Sequence, residues 1–278
     1  MLKQRILTAL FALPLFLSLL MLAPKWVLII FFMLLVGLGT YEMASMLVPR
    51  LENAFTTQEI TKGPIWMVPT AVGFACLIFL GSSIYSGDGG RGMVLAGMLG
   101  GILIGCFLAP DNETAFARTV ALLVSIVYGS FPWLATWDLL LMGENSRYVL
   151  YLCVVVWSGD TGAYFGGKSF GKHKLAPRMS PKKTWEGSIA GLLASVAGGS
   201  LCNLGYGGEL GSWEVIVLSS FLGGAFGQMG DLVESTFKRF SGVKDSGVIF
   251  PGHGGFLDRV DGVLFAAPVI WFILYNLS

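Results

Sequence analysis

The sequence predicts an all-α, polytopic integral membrane protein with about nine transmembrane helices and a cytoplasmic N-terminus. Three observations point there. Of the 278 residues, 54% are hydrophobic and only 13% are charged, about half the charged share of a soluble globular chain. Nine apolar segments approach or exceed the roughly 20 residues that a helix needs to cross a bilayer. Lysine and arginine also fall unevenly between the loops, which sets an orientation.

In chain order the segments lie near 6–22, 26–47, 66–86, 92–109, 118–142, 148–165, 187–206, 213–232 and 260–277. Lys3 and Arg5 precede the first, as they would in a signal peptide. A second span follows almost at once without a small-residue cleavage site, so the segment reads as retained. Segments 92–109 and 148–165 fit least well as simple full spans. The chain divides into an N-terminal membrane segment (1–65), a middle segment of three spans that is a candidate dimer interface (66–147), and a C-terminal segment with two long loops (148–278).

With the N-terminus inside, only Lys25, Arg91 and Arg147 lie on the outer face, out of 18 Lys and Arg residues. The last span then leaves the C-terminus outside. The loops at 166–186 and 233–259 share the cytoplasmic face, where they can act together. Cys76, Cys106, Cys153 and Cys202 sit singly in apolar runs without metal-ligand or disulfide spacing. The net charge of +1 says nothing about nucleic acid, the sequence has no basic tail, and no nucleic-acid partner is expected.

The first long loop contains a formal P-loop match, Gly162 followed by Gly167, Lys168 and Ser169. That motif needs a strand before it and a helix starting at the lysine, and no α/β units are predicted here. Phosphate chemistry is suggested instead by Ser180–Pro181, which resembles a helix N-cap and first turn. Free amides there, with Lys182 and Lys183 alongside, would favour an anion. The plain alternative is a basic loop that holds topology or touches anionic lipid. Asp160, at the end of an apolar span, is not needed for topology; it is a candidate for orienting a ligand or a second cation.

The second loop brings four carboxylates. Asp231 and Glu234 are three residues apart, as are Asp258 and Asp261, so each pair shares a helix face. Such groups repel one another unless a cation lies between them, and hard oxygen donors suit Mg²⁺. Lys238, Arg239 and Lys244 supply charge for phosphate oxygens. Helix capping by Asp258, ion pairing by Arg259 and a loop hydrogen bond from His253 are the plain alternatives for single residues. None of these explains the clustering.

The stretch from Ser235 to Asp261 resembles the signature of the phosphatidate cytidylyltransferases, also called CDP-diacylglycerol synthases. Its elements are Ser235, Lys238–Arg239, Lys244–Asp245, Gly247, His253–Gly254–Gly255 and Asp258–Arg259–Val260–Asp261. The earlier run from Gly159 to Gly187, with "SPKKTWEG", is similar to the upstream cytoplasmic region of that family. The N-terminal 140 residues resemble it only as a set of spans. The resemblance implies a polytopic, usually dimeric enzyme that condenses CTP with phosphatidic acid, releases pyrophosphate and requires Mg²⁺. It also implies a site on the cytoplasmic face of a bacterial inner membrane.

On that basis Asp231, Asp258 and Asp261 are expected to hold the metal. Lys238 and Arg239 join Asp258 and Asp261 as catalytic candidates that neutralise phosphate. Asp160, Ser180, Lys182, Lys183, Lys244, His253 and Arg259 are expected to bind substrate or phosphate. Two other readings remain at this stage: a CTP-dependent lipid-alcohol kinase, which would yield CDP, and a transporter for an anionic solute. The charges gather at one membrane face rather than at the midplane, which disfavours the transporter.

Overall fold

The computed structural model describes residues 16–55, 64–85, 88–249 and 254–277. Helical residues 16–22 (α1) lead into α2 (Lys25–Phe55), α3 (Met67–Ile84), α4 (Asp88–Phe107) and α5 (Asn112–Met142). A 3₁₀ turn at Glu144–Ser146 joins α5 to α6 (Arg147–Phe170). A two-stranded antiparallel hairpin follows, β1 (Lys174–Ala176) and β2 (Ser180–Thr184). Then come α7 (Trp185–Gly205), α8 (Trp213–Phe240) and α9 (Leu257–Leu277). Among the described residues, the eight helices α2 to α9 are each long and apolar enough to cross a membrane. Segments 92–109 and 148–165 are among them, as α4 and α6. The first expected span, 6–22, falls largely outside the described residues.

Two boundaries differ in ways that matter for the site. Helix α8 continues to Phe240, so Lys238 and Arg239 belong to its last turn and not to a loop. Lys238 lies 3.3 Å from Glu234 one turn back, a pairing that favours continued helix there. Helix α5 begins before residue 118 because Asp111 caps it, its carboxylate accepting the Thr114 amide at 2.8 Å and the Thr114 hydroxyl at 2.9 Å. Those bonds hold the Asp111 carboxyl below the usual carboxylate range.

The expectation of a helix starting at Ser180–Pro181 is corrected. Both residues lie in β2, and α7 is opened by Thr184, whose hydroxyl accepts the Gly187 amide at 3.2 Å. Glu186 in the first turn of α7 reaches back to the amides of Lys172 and His173 and to the His173 ring. This closes the intervening chain into a hairpin. Ser180–Pro181 has the residue types of a helix start, but the helix begins where its first turn can also satisfy backbone donors across the hairpin. The formal P-loop residues Gly162 to Ser169 lie within α6, which is not the strand-to-helix junction a P-loop requires.

Small residues set the helix spacing. A methyl at Gly162 in α6 would collide with the Ala194 side chain of α7, and one at Gly230 in α8 with the Asp261 carbonyl of α9. These backbone approaches are the usual means of helix association where lipid removes the hydrophobic drive. A buried polar lock adds to them. The Tyr151 hydroxyl of α6 lies 2.6 Å and 2.7 Å from the hydroxyls of Ser219 and Ser220 in α8. On the other side, Phe32, Phe79 and Trp137 join α2, α3 and α5, with ring centroids 5.6–5.9 Å apart. Helices α2 and α5 also lean on α9, so the N-terminal half buttresses the C-terminal half.

Apolar rows remain outside this core. Leu95, Leu99 and Leu103 on α4, and Ile189, Leu193 and Leu201 on α7, are exposed at helical spacing. Rows of that kind suit contact with lipid, where every backbone group is already satisfied within its helix.

The approach of α8 to α9 predicts that Gly230→Ala destabilises the protein by overpacking, at a cost of about 1–3 kcal/mol. Thermal unfolding in detergent should show a lowered midpoint.

Candidate active site

The close contact at Gly230 places Asp231 next to the turn of α9 that carries Asp258 and Asp261. Helix α6 brings Asp160 to the same place, and the hairpin adds two lysines. A cavity of about 490 Å³ results, lined by Asp160, Lys168, Lys182, Lys183, Asp231, Asp258 and Asp261, with Ser188 and Gln228 among its other walls. The consecutive α6, hairpin and α7 thus converge with α8 and α9 on one acidic and basic pocket.

Each carboxylate has its own surroundings. Asp231 pairs with Lys183 at 2.7 Å, and the same ammonium donates to the Gln228 carbonyl at 3.3 Å. Gln228 is itself held by Ser188, through the serine hydroxyl and carbonyl. Asp258 accepts from Lys238 through Oδ1. Its Oδ2 takes the amides of Ser246 and Gly255 at 2.9 Å and 2.8 Å, with the Ser246 hydroxyl at 3.1 Å. Asp261 accepts the Gly262 amide at 2.7 Å. Glu234 is fully buried beside Asp261, and its Oε1 lies 3.3 Å from the Lys238 ammonium.

The donor set is entirely oxygen, which fits a hard divalent cation. Among the described residues, no three acidic, imidazole or thiol groups are arranged to hold a metal ion. The ion pairs give the reason: Lys183 draws Asp231, and Lys238 draws Asp258. A cation at the pocket would take over the charge balance that these lysines now provide, leaving their ammonium groups for phosphate oxygens.

Of the residues expected from sequence, the cavity therefore unites Asp160, Lys182, Lys183, Asp231, Asp258 and Asp261, with Lys238 behind Asp258. The others lie elsewhere. Ser180 is on β2 outside the lining, and Arg239 is exposed, donating to the Val243 carbonyl at 3.2 Å. Lys244 lines a second cavity of about 740 Å³ with Arg50 and Asn53. Arg259 points to the opposite face of α9, into an apolar crevice of about 400 Å³ walled by Trp133, Trp157 and Phe256. His253 lies outside the described residues.

Sequence reasoning missed Ser246, Gln228 and Glu42. Ser246 and Gln228 carry no distinguishing signal. Glu42 carries one: it is an acidic residue inside the apolar segment 26–47, where a charge costs about 2.5–3.5 kcal/mol on insertion scales.

A family model described as the cytidylyltransferase family matches residues 3–277. The chain is 34% identical over 280 aligned residues to a phosphatidate cytidylyltransferase of Staphylococcus haemolyticus, covering 99% of this chain and all of that relative. It is 32% identical over 274 residues to one from Staphylococcus epidermidis, covering 98% of each. A Bacillus subtilis protein of the same name is 40% identical over 163 residues, 59% of each chain.

The hairpin that presents Lys182 and Lys183 depends on the Thr184 cap. Thr184→Ala should lower stability by about 1 kcal/mol. Hydrogen exchange over residues 180–188 should accelerate while the rest of the protein keeps its protection.

Proposed function

The chain belongs to the cytidylyltransferase family, and from that premise we propose that it is a phosphatidate cytidylyltransferase. It condenses CTP with phosphatidic acid to give CDP-diacylglycerol and pyrophosphate. The observation that carries this reading is the single cavity in which four aspartates face three lysines at one end of a membrane bundle. A lipid phosphate and a triphosphate can both be neutralised there, one arriving along the bilayer and the other from water.

The reaction needs no protein nucleophile. A phosphatidate oxygen attacks the α-phosphorus of CTP, a new P–O bond forms, and the bond from the α-phosphorus to the β-phosphate bridge breaks. Pyrophosphate leaves with the bonding electrons. The chain's own contribution is positioning and charge neutralisation, as in other phosphoryl-type transfers. Lys182, Lys183 and Lys168 stand at the wall where triphosphate oxygens would lie. Lys238, buried between Glu234 and Asp258, keeps the Asp258 carboxylate oriented and its charge balanced. Asp160 faces the same space from α6 and orients the bound groups. Asp231, Asp258 and Asp261 would hold Mg²⁺, which supplies positive charge to the phosphates when it is bound.

The basic hairpin that walls the cavity supports a cytoplasmic active site in a bacterial inner membrane. The positive-inside distribution supports the same orientation. A homodimer, as the family resemblance implies, would cover part of the exposed apolar surface.

The test is pyrophosphate release by the purified protein in detergent with CTP and Mg²⁺, with and without phosphatidic acid. Release should depend on the lipid. Asp258→Asn and Asp261→Asn should each reduce it on the order of 10²–10³-fold while the protein stays folded. Release of CDP in place of pyrophosphate would replace this reading with a lipid-alcohol kinase, and no nucleotide turnover under any lipid would defeat both.

A further inference from the structure

Glu42 lies within α2 and is 1% exposed. Its carboxylate accepts the backbone amide of Phe256 at 2.8 Å through Oε1. Through Oε2 it takes the amide of Leu257 and the hydroxyl of Ser246, each at 2.9 Å. Phe256 and Leu257 are the entry to α9, where the first amides have no partner within the helix. A buried carboxylate from another helix therefore caps α9 and meets the positive end of its dipole. Ser246, earlier in the connection between α8 and α9, donates its amide to Asp258 Oδ2. Its hydroxyl lies between the two carboxylates, 2.9 Å from Glu42 and 3.1 Å from Asp258.

One side chain in α2 thus holds both Ser246 and the entry to α9, the two places that also present donors to Asp258 or lead into it. Glu42 does not line the catalytic cavity. Resting on the cytidylyltransferase reading, we propose that Glu42 is a positioning residue of the reaction. It sets the start of α9, and through Ser246 and the capped amides it holds Asp258 and Asp261 where the phosphates react. Glu52, farther along the same helix and equally buried, makes the contrast: it pairs with Arg118 at 2.6 Å and joins α2 to α5, away from the loop.

A glutamine at position 42 keeps one acceptor and turns an amino group toward a donor. Displacement of reacting groups by about 1 Å can cost on the order of 10²-fold in rate. For folded Glu42→Gln we expect kcat at least about tenfold below wild type, with KM for CTP and for phosphatidic acid within about twofold, the pattern of an interaction used only in the transition state. Hydrogen exchange over residues 254–260 should rise. Glu52→Gln should lower the unfolding midpoint yet leave both kcat per folded molecule and exchange at 254–260 unchanged. Should Glu42→Gln not yield folded protein, Gly247→Ala asks the same question, because its methyl would collide with Glu42 Oε1 and push the carboxylate from the amides.

Wild-type kcat and wild-type exchange in a folded variant would overturn the proposal. So would a loss of kcat no larger than that of Glu52→Gln. If wild type itself released no pyrophosphate, the functional reading would fail, and the exchange measurement would still decide whether Glu42 holds the loop.

Discussion

Ionised groups at the edge of an apolar bundle survive only where donors and opposite charges surround them, and the rest of this structure depends on how that is done at Asp258. Its carboxylate collects an ammonium from α8, two loop amides and a hydroxyl. The ammonium is Lys238 of α8, and the other donors are Ser246 and Gly255 of the connection that follows it. A charge left unpaired at such a depth costs several kcal/mol, so the loop, α8 and α9 must take up one mutual arrangement or pay that penalty. Function and packing are therefore not separable here: the groups that would handle phosphate are also the ones that tie the helices together.

The same logic explains why the helices meet through small residues. In lipid, apolar side chains gain little by leaving their surroundings, so association rests on close backbone contact and buried hydrogen bonds. Gly162 and Gly230 supply the contact, and Tyr151 with Ser219 and Ser220 supplies the bonds. The consequence for the site is direct. Helices that approach this closely carry Asp160, Asp231 and Asp261 into one cavity, whereas bulkier residues at the seam would hold them apart. The hairpin between α6 and α7 then closes the cavity with lysines, its register set by Thr184 and Glu186.

Part of the candidate site was legible in the sequence for a plain reason. Carboxylates at i and i+3 share a face of their own helix whatever the tertiary detail, so Asp231–Glu234 and Asp258–Asp261 could each be grouped on paper. The differences came where tertiary contacts overrode a local signal. Ser180–Pro181 looked like a helix start, and only contacts across the hairpin show that Thr184 opens α7. Arg239 and Arg259 looked equal to their neighbours, yet a step of about 100° per residue turns Arg239 away from Lys238, and Arg259 away from Asp258. Glu42 was visible as a charge inside the apolar span 26–47, and Glu52 as one just past its end. Nothing in the local sequence of either tells a loop clamp from an ion pair with Arg118.

The sequence by itself determined the class of protein, the approximate places of the spans and the family signature, because hydrophobic length and short acidic and basic spacings are properties of contiguous residues. The tertiary structure decided which charges share a cavity, which lysine faces which aspartate, and that a glutamate in α2 caps the last helix more than two hundred residues away. Those outcomes depend on which helices touch and on how each is rotated about its axis. Both are fixed by summed packing and by the need to satisfy every buried polar group at once, and no single stretch of chain encodes either.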